Sequence, residues 1–140
     1  MTVSEERVQE MLAQYIAMKY PHAIFHSDYG SGSFLRYGQA IKQKRQNAGR
    51  RGFPDLQICE PIDRWHSFFL EIKKEGIRIV RRDGKLYADE HIREQASMIE
   101  QLRQRGFWAD FGIGFDDCCA KVDAYMKGCA DAKDWTRWDS

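Results

Sequence analysis

Apolar residues recur along this chain with two different periods. Val8, Met11, Leu12, Tyr15 and Ile16 fall at helical spacing, which predicts an amphipathic helix from Glu5 to about Lys19, stopped by Pro21. A short strand is expected at Ala23 to Phe25, followed by a flexible Tyr29-Gly-Ser-Gly-Ser33 loop. From Arg36 to Arg51 apolar positions are few, which reads as a loop with a helical turn around Gln39 to Arg45. Two apolar strands come next, Leu56 to Cys59 and Ser67 to Lys74, with a turn at Pro61 and Asp63 between them. Alternation in the second strand puts Phe68, Leu70 and Ile72 on one face and Phe69, Glu71 and Lys73 on the other. Asp83-Gly84 between Ile77–Arg82 and Lys85–Tyr87 is the pattern of a hairpin. Helical spacing returns at Ile92, Ala96, Ile99 and Leu102, predicting a helix from Glu90 to Arg105 ended by Gly106. Phe107 to Ile113 is a further core strand, and Asp116 or Asp117 is expected to cap a last helix running to about Lys127.

The order is helix, three strands, helix, strand, helix. It predicts an α/β fold, a small mixed sheet flanked by helices. A chain of 140 residues without internal repeats fits a single domain, taken as residues 1–130. Residues 131–140 read as a C-terminal tail, and Trp135 and Trp138 indicate that it docks on something.

Composition narrows the function classes. Hydrophobic content of 43% and charged content of 31% are those of an ordinary globular protein. No apolar run approaches the roughly 20 residues needed to span a bilayer, and no signal-peptide pattern opens the chain. A cytoplasmic protein is the expectation. The cysteines at 59, 118, 119 and 129 form no CxxC pair, which gives zinc little support. Cys118, Val122, Tyr125 and Cys129 follow helical spacing, so buried, reduced thiols are expected. His22, His26, His66 and His91 have no metal spacing with one another and read as structural or surface residues. His26 is the nearest to a candidate site, through His26-Ser27-Asp28-Tyr29.

The net charge of +1 hides an uneven distribution. From Tyr29 to Pro54 there is no acidic residue, while Arg36, Lys42, Lys44, Arg45, Arg50 and Arg51 give a local charge of +6. The rest of the chain then carries −5. A basic run is commonly a solvated loop, but this one leads straight into Asp55, beside other carboxylates. That position favours phosphate binding, with Lys42, Lys44, Arg45, Arg50 and Arg51 as the best phosphate contacts. Tyr29, Phe34 and Tyr37 interleave the segment and either stack on splayed bases or pack in the core.

Charge also stands out within the apolar strands. Asp55 opens one of them, and the next carries Glu71 and Lys73. A surface ion pair on an edge strand would account for Glu71 and Lys73, but Phe68, Phe69, Leu70 and Ile72 mark this strand as buried. Unpaired buried charge is costly. Magnesium-type cations take hard oxygen ligands, one or two carboxylates together with phosphate and water. Asp55 and Glu71 would supply that pair if their strands are neighbours. Lys73, two residues on, leaves the same face and would hold a water or offset charge on a phosphate undergoing attack. Gln95 is a further oddity, since it points along the apolar stripe of its helix, where an amide needs a partner.

The series Gly52-Phe53-Pro54-Asp55 and Glu71-Ile72-Lys73 closely resembles the PD-(D/E)xK nuclease superfamily. More narrowly it looks like the VRR-NUC branch, in its small stand-alone form known from bacteriophages and bacteria. Arg51 to Asp55 is similar to that family's basic-Gly-x-Pro-Asp motif, and Phe69 to Lys74 to its catalytic strand. Glu94-Gln95 with Ile99, Leu102 and Gly106 resembles its glutamine-bearing helix, and Phe107 to Tyr125 its closing strand and helix. The likeness spans about Ser4 to Tyr125.

The resemblance implies a restriction-endonuclease-like αβββαβ(α) core and a Mg²⁺- or Mn²⁺-dependent endodeoxyribonuclease. It implies that Asp55 and Glu71 hold the metal, joined by the backbone carbonyl of Ile72, and that Lys73 is the catalytic lysine. It also implies a first-helix glutamate at the metal site, directly or through water: Glu5, with Glu6 as the alternative. Thr2 and Glu5 also have capping-box spacing, which would explain Glu5 without a metal. Gln95 would face the site and orient the lysine or a DNA phosphate, against the alternative of a satisfied core glutamine. Implied as well are 5′-phosphate products, a leaning toward branched or flapped DNA, a symmetric homodimer, and no organic cofactor or membrane partner. Two rivals stand beside this reading: a nuclease-like fold that binds DNA without cleaving it, and a non-nucleic-acid protein whose Cys and His residues bind metal.

Overall fold

The computed structural model describes residues 2–28, 42 and 45–139. The Tyr29–Ser33 loop, most of the basic segment including Arg36 and Lys44, and the aromatic residues Tyr29, Phe34 and Tyr37 lie outside them.

Helix α1, Glu5–Lys19, buries Val8, Leu12 and Ile16, the stripe its spacing demands. Its cap is Ser4, whose side chain accepts from the Arg7 N–H at 3.2 Å. The expected Thr2–Glu5 capping box is therefore displaced, and Glu5 is left without a capping role. Strand β1 spans Phe25–Ser27, two residues later than Ala23 to Phe25. Its pairing with β2, Leu56–Ile58, settles the position, because Phe25 meets Ile58 and Ser27 meets Leu56. Strand β3, Phe68–Lys73, is buried at all six positions. Helix α2, Glu90–Gln104, is capped by Asp89, and strand β4, Trp108–Ile113, follows it. Helix α3 spans Gly114–Met126. Neither Asp116 nor Asp117 caps it from outside; Asp117 lies within the first turn, and its Oδ2 accepts from Ile113 N at 2.9 Å.

The sheet order is β1-β2-β3-β4. The first three strands are antiparallel neighbours, and β4 runs parallel to β3 after the crossover through α2. The two faces of the sheet divide the core as the alternation of β3 requires. Phe68, Leu70 and Ile72 pack with Val8, Leu12 and Ile16 of α1 and with Cys118, Val122 and Tyr125 of α3. Phe69 packs on the other face with Ala109, Phe111, Ile92, Ala96, Ile99 and Leu102. Each fully buried Val, Leu, Ile or Phe among them contributes about 1.5–3 kcal/mol, so both layers hold the central strand in place. The Asp83-Gly84 turn forms with a single bridge, Val80 to Leu86, rather than a ladder of two strands. Cys118 is buried as expected, but Cys129 is exposed, because α3 ends before it.

The tail packs on the domain itself. Trp135 lies against Trp65 and Trp108, with ring centroids 5.4 and 6.3 Å apart, and Trp138 lies against Phe111 at 5.8 Å. Its anchor is Asp110 of β4, which is fully buried. The Asp110 carboxylate meets Arg103 at 3.0 Å and Lys121 at 3.3 Å, and accepts from Thr136 N at 3.1 Å. Asp110 is thus a buried carboxylate with its countercharges in place. No helix among the described residues is long and apolar enough to cross a membrane.

Candidate metal and phosphodiester site

Sheet register builds the site. Leu56 pairs with Leu70, so the residue before β2, Asp55, stands across from Glu71. On the other flank Ser27 pairs with Leu56, and the Asp28 N–H donates to the Asp55 carbonyl at 2.9 Å. Asp28, Asp55 and Glu71 thus form a row across three strands. Asp28 had no assigned role in the sequence, because only strand pairing brings it alongside Asp55. Gln9 of α1 secures this corner by donating to Ser27 Oγ at 2.8 Å and to the Asp28 carbonyl.

Asp55 and Glu71 are 8% and 2% exposed. Asp55 Oδ2 accepts the Ile72 N–H at 2.9 Å. The Asp55 and Glu71 carboxyls are close enough to interact directly. Burial pushes the Glu71 carboxyl well above the ordinary range, and the neighbouring Asp55 charge adds to the rise. Burial also raises Asp55, although the hydrogen bonds from Glu71 and from the Ile72 N–H oppose it. Glu71 Oε1 is buried and has no hydrogen-bond partner among the described residues. Lys73, at 4.0 Å, is the ion-pair partner of Glu71 among the described residues, whereas Asp110 has cations at 3.0 and 3.3 Å.

Lys73 lies 3.9 Å from Glu5 Oε1 and 4.0 Å from Glu71 Oε2. Both separations exceed hydrogen-bond distance, so the ammonium bridges the acids without being consumed by either. Glu5 reaches this point because α1 begins beside the end of β3; its side chain is 37% exposed. The donor set fits a magnesium-type ion: two buried carboxylates, one oxygen of Glu71 without a hydrogen-bond partner among the described residues, and an exposed approach on the Glu5 side. Among the described residues no cluster of three or more His, Cys, Asp or Glu is arranged to enclose a metal ion, so water and substrate oxygens would complete the shell.

Gln95 is 3% exposed on α2. A glycine ties its turn to the Asp55 loop. Gly52 has φ +79°, and a Cβ there would come within 2.5 Å of the Glu94 carbonyl and 2.8 Å of Gln95 N. Arg51 pairs with Glu94 at 3.5 Å, and Phe53 packs edge-on against Phe69 at 5.3 Å. The Gly-Phe-Pro-Asp segment is thereby clamped between α2 and β3. Arg50 and Arg51 are exposed at its entrance, as are Lys42 and Arg45 farther back, while Lys44 lies outside the described residues. The four histidines are all exposed.

No protein-family model matches this sequence, and neither does any curated protein. Among solved structures, a VRR_NUC domain protein superposes with a TM-score of 0.66 at 24% sequence identity, over 89% of each chain. The chain has the restriction-endonuclease-like fold of a VRR_NUC domain protein.

Proposed function

We propose that this chain is a divalent-metal-dependent endonuclease of the VRR-NUC type, hydrolysing phosphodiester bonds in DNA. The observation that carries the reading is the buried Asp55–Glu71 pair with Lys73 on the same strand face, 4.0 Å from Glu71, in place of the two close cations given to Asp110. The fold shared with a VRR_NUC domain protein supports it.

In this reading Asp55 and Glu71 hold Mg²⁺ or Mn²⁺, with the Ile72 carbonyl beside them and Glu5 acting through water. A cation there would neutralise charge on the scissile phosphate and acidify a water. The protein's own residues do the positioning. Asp55 is anchored through Oδ2 by the Ile72 N–H. Lys73, held between Glu5 and Glu71, orients the attacking water and offsets charge on the phosphate oxygens. Gln95 sets the lysine or a phosphate from the side of α2. Arg50, Arg51, Lys42 and Arg45 draw the DNA backbone toward Asp55. Branched or flapped DNA is the substrate we favour.

The test is cleavage of plasmid and branched DNA in Mg²⁺ or Mn²⁺, with Lys73→Ala alongside. Cleavage that depends on metal and disappears in the variant supports the proposal. Cleavage that persists in Lys73→Ala overturns the lysine's role, and DNA binding without any cleavage would make the chain a binding protein on a nuclease fold.

A further inference from the structure

The 77–87 hairpin, α2 and the C-terminal tail line an open cavity of about 370 Å³. Its cations are Arg81, Lys85 and Arg93, and its apolar wall is Leu86, Ala96 and Trp138. We propose that this cavity is a second DNA contact that takes one nucleotide of a single-stranded segment, phosphate against the cations and base against the apolar wall. The proposal rests on the reading of the chain as a DNA nuclease and adds a subsite to it.

The charge is out of keeping with its surroundings. Outside the 29–54 segment the chain carries −5, yet residues 74–87 hold five cations against two carboxylates. Arg81, Lys85 and Arg93 are all exposed. Two carboxylates, Glu100 and Asp139, also line the cavity, which leaves its lining net positive by one charge. Glu100 Oε1 accepts the Trp138 indole N–H at 2.5 Å. The Asp139 carboxylate sits against the hairpin turn, where a Cβ on Gly84 would come within 2.6 Å of it, and Asp139 N donates to the Gly84 carbonyl at 2.7 Å. Arg81 pairs with Asp83 at 2.9 Å, but both side chains are nearly half exposed, so phosphate competes for that arginine at little cost.

Aromatic surface beside cations is what single-stranded nucleic acid uses, because every base offers a face to stack. Trp138 is held by Glu100, by the edge of Phe111 and by the Arg103 guanidinium 4.9 Å from its ring, so its surface is preorganised rather than recruited. The volume suits a small ligand of nucleotide size. Lys73 and Arg81 are eight residues apart, which bounds their separation at about 28 Å. A few nucleotides of one strand span that distance, so a strand leaving the cleavage site can reach the cavity.

The experiment is fluorescence anisotropy of a labelled single-stranded oligothymidylate, in EDTA so that cleavage plays no part. The triple variant Arg81→Glu, Lys85→Glu, Arg93→Glu is compared with wild type, with Arg105→Glu as an exposed control at the C-cap of α2 and Tm verifying the fold of each. The expected result is an affinity loss of about tenfold or more and a shallower salt dependence in the triple variant, with about twofold or less for Arg105→Glu. Wild-type binding retained by the triple variant, an equal loss in Arg105→Glu, or no binding by wild type would each overturn the subsite. Lys73→Ala, read for cleavage in Mg²⁺ and for binding in EDTA, separates the two proposals, since losing the nuclease reading leaves the binding measurement intact.

Discussion

The Ile72 backbone N–H donates to Asp55 Oδ2 at 2.9 Å, and Ile72 is the residue between Glu71 and Lys73. One hydrogen bond therefore joins the loop before β2 to the centre of the Glu-x-Lys strand. It fixes one oxygen of Asp55 and brings its carboxyl against Glu71, while Lys73 emerges on the same side. The arrangement is rigid because Phe68, Leu70 and Ile72 are packed on one face of β3 and Phe69 on the other.

Lys73→Ala should lower single-turnover DNA cleavage by roughly a thousandfold, the scale set by removing one preorganised electrostatic group from a transition state. Circular dichroism should be unchanged, since the lysine's two ion pairs are long. Cleavage within a few-fold of wild type would remove Lys73 from the chemistry.

Glu71→Gln should leave thermal stability in EDTA equal to or above that of wild type, because the amide replaces a carboxyl that burial already penalises. If Asp55 and Glu71 hold the cation as proposed, Mg²⁺ should raise the Tm of wild type, by about 2.7 kcal/mol of stability at a hundred times its Kd, and this variant should lose that rise. Thermal melts with and without Mg²⁺ report both effects.

Asp110→Ala should behave in the opposite way. It strands the Arg103 and Lys121 charges and frees the Thr136 N–H, so it should cost about 3–5 kcal/mol of stability in urea denaturation. At temperatures where it remains folded, its Mg²⁺-dependent rise in Tm should persist.

Gly52→Ala should disturb the site without touching a charged residue. Its φ of +79° and the 2.5 Å approach to the Glu94 carbonyl leave no room for a methyl group. A destabilisation of about 1–3 kcal/mol is expected, together with reduced cleavage as the Asp55 loop moves off α2. Equilibrium unfolding and kcat measured together test this, and a fully active, fully stable variant would refute the clamp.

The pH dependence of stability should include the junction of α1 and α3. Burial alone would raise the Asp123 carboxyl, but hydrogen bonds from Tyr15 and Tyr20, each 2.6 Å, and the nearby Lys19 outweigh it and hold it below the ordinary value. A depressed carboxylate contributes stability above its unfolded pKa and loses it as the pH falls through the folded one. Asp123→Asn should therefore lower Tm at neutral pH, and the gap from wild type should close on acidification below the normal carboxylate range. A gap independent of pH would mean that packing, not charge, explains the loss.

Local pattern carried much of this protein. The period of two in Phe68 to Lys73 separated the faces of β3, and the stripes at Val8 to Ile16 and Ile92 to Leu102 located α1 and α2, because side-chain direction follows directly from backbone periodicity. Asp55, Glu71 and Lys73 stood out for the same local reason, as charge in apolar strands. Tertiary structure decided what depends on distant partners. The register of β2 on β3 set Asp55 across from Glu71 and brought Asp28 alongside, and pairing with β2 moved β1 to Phe25–Ser27. Folding also distinguished two kinds of buried acid: Asp110, surrounded by Arg103, Lys121 and Thr136, and Glu71, with a buried oxygen lacking a partner among the described residues. The physical reason is that burial and alternation are properties of a segment, whereas the solvation and neutralisation of a charge depend on every element packed around it.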